Sequence, residues 1–241
     1  MKVNTSNYRI VGFTREASLD ELISLGKKKN IAVYHDLGSG VIYPLRGITD
    51  DEPSVSEILQ KGADVLSFSA DKMMGGPQAG IILGKKSYIK RLKEHPLTRA
   101  LRVDKMTIAA LEATLSLYRD AAQAYTHIPV LRMMIEPLSV IREKAEKLMS
   151  GLDFLSHPPM LISEYNKVGG GVLPCKELPT IAVGIKSVHG VNWLNGKLQK
   201  QEPPIIARIK RDRVLLDMRT VEEADFQHII TCLHEIEEGA I

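Results

Sequence analysis

The sequence predicts an α/β protein in which a mostly parallel sheet flanked by helices leads, through long helices, into a small α+β domain. Three observations carry that expectation. In the first ninety residues the continuous apolar run "IAVYHD" and the short glycine-bounded runs "ADVLSFS" and "AGIILG" alternate with helical stretches. The runs are apolar at successive positions, the pattern of strands covered on both faces. Beyond "SHPPM" the texture changes to "MLISEY", "TIAVGI" and "IIARIKRDRVLLDMR", strands grouped with two helices.

Taken in order, "VNTSNYRIV" reads as a first strand. "SLDELISLGKKKN" opens on Ser18 with Glu21 three residues later, a capping box that starts a helix. "IAVYHD" follows as a strand ended by "LGSG". Pro53 and Ser54 with Glu57 start a short helix that Gly62 ends. "ADVLSFS" and "AGIILG" are the next strands. From Asp104 the residues Met106, Ile108, Leu111, Leu115 and Tyr118 keep a helical three-to-four spacing. A second helical region, "PVLRMMIEPLSVIREKAEKLMSGL", is interrupted at Pro137. The last strand pair folds back at "KRDR", and "GVNWLNGKLQK" and "EEADFQHIITCLHEIEEG" read as helices. The expected division is a large-domain portion over 1–128, linking helices over 129–157 and the small domain over 158–241.

Composition narrows the function classes. Forty-four per cent apolar and 25% charged residues are ordinary for a globular protein. Aromatics at 5% are too sparse for a surface that stacks many bases. No stretch reaches the roughly 18 apolar residues of a membrane helix, and the polar start "MKVNTSNYRIVGF" lacks a signal-peptide pattern, so a cytoplasmic location and no membrane partner are expected. Cys175 and Cys232 stand without metal-ligand spacing and read as reduced structural thiols; the seven histidines are scattered, and no metal is expected. Net charge is only +3, but Lys85, Lys86, Lys90, Arg91, Lys93, Arg99, Arg102 and Lys105 cluster in one segment. Such a cluster attracts phosphates, although Lys86, Lys90 and Lys93 read as a solvated helix face.

The segment "SFSADKMMGGPQAG" places Lys72 between Asp71 and a Gly-Gly-Pro turn, just after an apolar run. It is not a phosphate loop: counting back from Gly84-Lys85 finds Ala79 where the first glycine belongs, and Lys86 stands where Ser or Thr belongs. The dinucleotide fingerprint fails at "GSGVIY", where Tyr43 takes the third glycine position. A lysine nucleophile, by contrast, needs a partly desolvated site on a rigid support, which a strand end and tight turn supply. Pyridoxal phosphate is the cofactor that most often uses such a lysine, and it needs a carboxylate at its ring nitrogen. Asp36 closes a neighbouring strand, and ligands of such sheets bind outside the carboxyl ends of the strands. On spacing alone the alternative stays open, in which Lys72 pairs with Asp71 at a turn and Asp36 caps one.

Several segments resemble a known family, the bacterial selenocysteine synthases, or L-seryl-tRNA(Sec) selenium transferases. They are "NTSNYRIVGFT", "YHDLGSG", "SFSADKMMGGPQAGIILGKK", "HPLTRALRVDKMTIAALEATL", "VGGGVLPCKELPT" and "PPIIARIKRDRVLLDMRTV", together nearly the whole chain. The resemblance implies a fold type I pyridoxal-phosphate enzyme. Lys72 then carries the cofactor, Asp36 meets its pyridinium nitrogen, and Asp71 orients or tunes the lysine. Ser39 and His35 are further cofactor-side candidates. Arg99 and Arg102, which spacing alone reads as solvent-facing helix arginines at i and i+3, are implied to bind the oxyanion of selenophosphate. The implied reaction converts L-seryl-tRNA(Sec) to L-selenocysteinyl-tRNA(Sec) by β-elimination and selenium addition, in a homo-oligomer of dimers.

Relative to that family the chain is expected to begin in the middle of the large domain, without the tRNA-engaging amino-terminal domain and the loop that cups the cofactor phosphate. Two consequences are expected: weaker cofactor binding, and a long unpaired apolar sheet edge. Two other readings stand beside the transferase, a catalytically incompetent fragment that keeps oligomerisation surfaces, and a pyridoxal lyase acting on a small or phosphorylated amino acid.

Overall fold

The computed structural model describes residues 1–4, 8, 10, 12–169, 171–173 and 175–239. They form two compact units, one of residues 1–135 with 167–176 and one of residues 136–166 with 177–241.

The first unit contains β1 (Lys2–Val3), α1 (Leu19–Lys29), β2 (Tyr34–Gly38), α2 (Val55–Lys61), β3 (Val65–Ser69), β4 (Gly80–Gly84) and the helices α3 (Lys86–Glu94), α4 (Pro96–Leu101), α5 (Lys105–Leu117), α6 (Ala121–His127) and α7 (Pro129–Ile135). Its sheet has the order β1-β2-β3-β4. β1 with β2 and β2 with β3 run parallel, while β4 returns antiparallel to β3. The mostly parallel α/β expectation holds. The first strand expected over 3–11 falls largely on residues 5–7, 9 and 11, which lie outside the described residues; its described part pairs at Lys2–Val3.

Both capping boxes form. Ser18 and Glu21 exchange side-chain and backbone hydrogen bonds at the start of α1, and Ser54 and Glu57 do the same at α2. Gly62 ends α2 in the left-handed region at φ 98°. The strand expected from Ile31 starts later, at Tyr34. The reason is local: the Val33 amide donates to the Asp64 carboxylate at 2.7 Å, and the Val33 carbonyl accepts from Asp64.

Burial of this sheet differs from the expectation of cover on both faces. In β2 and β3 the fully buried positions alternate: His35, Leu37, Leu66 and Phe68 are buried, while Tyr34, Asp36, Val65 and Ser67 are half-buried. Ile82 of β4, opposite Ser67, is 50% exposed. The face carrying Tyr34, Ser67 and Ile82 is bordered by Tyr88 and Leu92 of α3, leaving a cleft of about 510 Å³. One face of the sheet is core and the other is open along this cleft.

The second unit contains α8 (Leu138–Met149), β5 (Met160–Lys167), β6 (Glu177–Ile185), α9 (Val191–Leu198), β7 (Arg208–Lys210), β8 (Arg213–Asp217) and α10 (Phe226–Glu238). Lys167 closes β5 but clusters with the first unit. The sheet order is β5-β6-β8-β7, with β6 and β7 both antiparallel to β8. The hairpin expected at "KRDR" turns through Arg211 and Asp212, at φ 51° and 56°. Consecutive left-handed residues give the twist a two-residue hairpin needs. Ile141 and Leu148 of α8, Ile181 and Val183 of β6, Leu216 of β8 and Leu233 of α10 meet in one apolar core. Among the described residues no helix is long and apolar enough to cross a membrane. Both cysteines are free, Cys175 exposed and Cys232 buried.

Candidate active site

Lys72 sits in a turn whose ends are tied by its own backbone. After β3, the Ala70 amide donates to the Ala79 carbonyl at 2.8 Å and Gly76 donates to Ala70 at 2.8 Å. Within the loop Gly75 donates to the Lys72 carbonyl at 3.0 Å. Gly75 has φ 70°, and a Cβ there would lie 2.4 Å from Ile128 Cγ2, so this corner requires glycine. Met73 and Met74 are fully buried, and the Tyr118 hydroxyl donates to the Met74 carbonyl at 3.0 Å. The residues after the lysine are therefore anchors, while Lys72 itself is half-buried and Asp71 exposed.

The loop after β2 is joined to this turn. The Met73 amide donates to the Ser39 carbonyl at 3.1 Å. Gly40, at φ 74°, approaches β3 so closely that a Cβ would lie 2.6 Å from the Ser69 carbonyl oxygen. The glycines of "GSG" thus let the strand end bearing Asp36 meet the strand end bearing Lys72. Ser39 is fully buried, and its hydroxyl donates to Glu52 at 2.7 Å. Burial raises the Glu52 carboxyl above the usual carboxylate range; the Ser39 hydrogen bond opposes the rise, the Asp51 charge adds to it, and the Lys72 charge opposes it.

Lys72 lines a cleft of about 390 Å³ with Asp71, Gly75, Pro129, Val130, Val168 and Val172. The backbone of Gly171 flanks it, since a Cβ built there would lie 3.5 Å from Lys72 Cε and 3.7 Å from Nζ. Val130, Val168 and Val172 give this cleft apolar walls beside the lysine. Asp36 lies in β2 on the face opposite His35. Its carboxylate accepts from the Ser67 hydroxyl at 3.0 Å, and the Tyr34 hydroxyl lies 2.6 Å from Ser67 Oγ.

His35 is 1% exposed. Its Nε2 lies 3.0 Å from Asn4 Oδ1, an acceptor, so Nε2 carries the proton. Nδ1 is buried and has no partner among the described residues. Burial pushes the imidazole down to about 4, the Lys2 charge adds to the fall, and the Asp36 carboxylate opposes it.

Arg99 and Arg102 are both exposed. Arg99 is in the last turn of α4, but Arg102 lies beyond Leu101 with extended backbone, φ −63° and ψ 143°. The two are therefore not i and i+3 partners on one helix face; the helix stops first because the "RVD" segment leads into the Asp104 cap of α5. Lys86, Lys90 and Lys93 are exposed, as a solvated face requires.

The reading of Lys72, Asp36 and the arginines missed Glu52, Ser67, Tyr34 and Gly171. The last had a signal in the glycine run "VGGG". The others had none, because a lone hydroxyl or carboxylate gives no sign in one dimension of which strand it faces.

A structure of D-glucosaminate-6-phosphate ammonia-lyase matches 99% of this chain and 57% of its own, with TM-score 0.57 and 18% identity, which makes the fold common to both. The L-seryl-tRNA(Sec) selenium transferase of Alkaliphilus metalliredigens (strain QYMF) is 44% identical over 241 residues, 98% of this chain and 51% of that protein. Its counterpart in Clostridium botulinum (strain 657 / Type Ba4) is 43% identical over 235 residues, 95% of this chain and 51% of its own. The chain thus spans about half the length of the curated relatives it matches. Residues 1–222 match the family model of L-seryl-tRNA selenium transferases, and with such relatives across nearly its whole length the chain belongs to that family.

Proposed function

We propose that this chain takes part in converting L-seryl-tRNA(Sec) to L-selenocysteinyl-tRNA(Sec), with pyridoxal 5'-phosphate as cofactor and selenophosphate as selenium donor, in the cytoplasm. The observation that carries the reading is the turn of Lys72: a half-buried amine in a turn closed by backbone hydrogen bonds and joined through Met73 and Ser39 to the loop that follows Asp36. The donor set fits the cofactor. Lys72 offers one amine beside the apolar walls of Val130, Val168 and Val172. Asp36 offers a carboxylate whose only hydrogen bond among the described residues is from Ser67.

When bound, pyridoxal phosphate supplies an electron sink that lets the seryl Cα proton and then the β-hydroxyl depart. The protein's part is proton handling and positioning. Lys72 Nζ takes the proton from the seryl Cα, and Asp36 holds a proton at the cofactor ring nitrogen. Arg99 and Arg102, exposed and therefore open to a ligand from solvent, grip the phosphate of selenophosphate through charge-assisted hydrogen bonds. Asp71 orients Lys72 from the exposed side of the turn. Ser39 and His35 support the cofactor side, Ser39 through its carbonyl to Met73 and its hydroxyl to Glu52.

Titration with pyridoxal phosphate tests this directly. The expected result is a visible absorbance change, and attachment to the Lys72 peptide after borohydride treatment and mass spectrometry; Lys72→Ala loses both. With seryl-tRNA and selenophosphate, phosphate release is expected, lost in Lys72→Ala, with KM for selenophosphate raised about tenfold or more in Arg99→Ala and Arg102→Ala. Labelling at another lysine overturns the assignment. Turnover of a free amino acid without tRNA favours a lyase instead.

A further inference from the structure

We infer that Tyr34 and Ser67 are positioning residues for Asp36, a directed hydroxyl relay that fixes the orientation of its carboxylate; the inference rests on the proposed role of Asp36 toward the cofactor ring.

The relay follows from strand register. β2 and β3 are parallel and pair Tyr34 with Val65 and Asp36 with Ser67, so Tyr34, Asp36 and Ser67 share one face of the sheet. On that face Ser67 Oγ lies 3.0 Å from Asp36 Oδ1 and 2.6 Å from the Tyr34 hydroxyl. Proton counting then sets the direction. An ionised carboxylate only accepts, so the single proton of Ser67 goes to Asp36. The Ser67–Tyr34 contact must use the tyrosine's proton, and Tyr34 donates to Ser67. Each donation polarises the next, so the carboxylate meets a stronger donor than an isolated serine.

Tyr34 and Ser67 line the open cleft bordered by Ile82, Tyr88, Arg91, Leu92 and His95, so the relay can be reached from solvent. One oxygen of Asp36 is committed to Ser67, and the other has no partner among the described residues. A carboxylate held this way presents a fixed oxygen. The role assigned to both hydroxyls is exerted through Asp36.

Two measurements test the relay. The first needs no cofactor: a double-mutant cycle of urea unfolding with Ser67→Ala and Asp36→Ala, for which a coupling of about tenfold in the unfolding equilibrium is expected from a hydrogen bond to a charged group. Additive effects overturn the relay. The second compares the Kd of pyridoxal phosphate with that of its analogue carrying CH in place of the ring nitrogen. Ser67→Ala is expected to weaken the natural cofactor about tenfold and the analogue less than about twofold, Tyr34→Phe to do the same more weakly, and Ser67→Thr to restore binding. Equal losses for both ligands, with Lys72 still labelled by pyridoxal phosphate, overturn the relay alone. If the unsubstituted chain binds neither ligand, the relay's role falls together with the reading beneath it.

Discussion

At the residue scale, His35 makes the site's environment measurable. It is buried beside Asp36, with a proton on Nε2 and, among the described residues, no acceptor for a second proton at Nδ1. Its folded value of about 4 lies below the ordinary 6.5. The unfolded chain therefore binds the proton first as pH falls, so the stability tied to neutral His35 is fully present above about pH 6.5 and is lost as pH falls toward 4. The gap corresponds to about 3 kcal/mol at most. Glu52, whose carboxyl is raised, has the opposite sign: its contribution is present at low pH and lost as pH rises through its folded value. Urea unfolding across pH 4–7 is expected to show the acid-side loss in the unsubstituted chain and a slope smaller by about one proton in His35→Gln. Equal slopes would sink the assignment. At this scale the sequence put Lys72 just after one strand end and Asp36 in a neighbouring strand, because a strand end followed by a glycine turn is a local signal. It did not reveal Ser67 beside Asp36 or Glu52 beside Ser39, contacts 31 and 13 residues apart that depend on register and loop path.

At the element scale, helix starts were the most legible features. Ser18 and Ser54 with Glu21 and Glu57 spell out capping boxes whose hydrogen bonds lie within four residues, so nothing distant has to be known. Strand starts and burial were less so. "IAVYHD" is apolar from Ile31, yet Asp64 takes the Val33 amide and delays the ladder to Tyr34. The apolar spacing of α5 also misleads: Met106 is 72% exposed and Ile108 55%. Spacing predicts a helix correctly but not what covers it. The caps themselves give a testable difference. Ser54 is 1% exposed and its hydroxyl contacts Glu57 and Ser56, whereas the bonds of Ser18 are exposed to solvent. Ser54→Ala is expected to lower unfolding free energy by about 1–2 kcal/mol and Ser18→Ala by about half as much, measured by thermal or urea unfolding. Equal costs would mean that burial of the cap adds nothing.

At the scale of the whole molecule, a change of periodicity along the chain could be read from the sequence. Which surfaces stay open could not, since that depends on atoms beyond any one segment. Helices α3, α4 and α5 contain no fully buried residue. They expose Leu97 at 60%, Leu101 at 78%, Met106 at 72%, Ile108 at 55% and Leu115 at 44%. Singly exposed apolar residues need no explanation, but five large ones within nineteen consecutive residues are what an associating surface carries. β4, the edge strand that precedes these helices in the chain, pairs with β3 alone among the described strands and adds an open ladder. The chain is therefore expected to self-associate at micromolar concentration, with a mass by light scattering at least twice that of one chain. Leu101→Glu and Ile108→Glu are expected to shift it toward the single chain without lowering its melting temperature, because neither side chain contributes to a core. A chain that remains a monomer at tens of micromolar removes the argument for a homo-oligomer built on this surface. Loss of melting temperature in the glutamate variants would instead place these residues in the fold of the isolated chain.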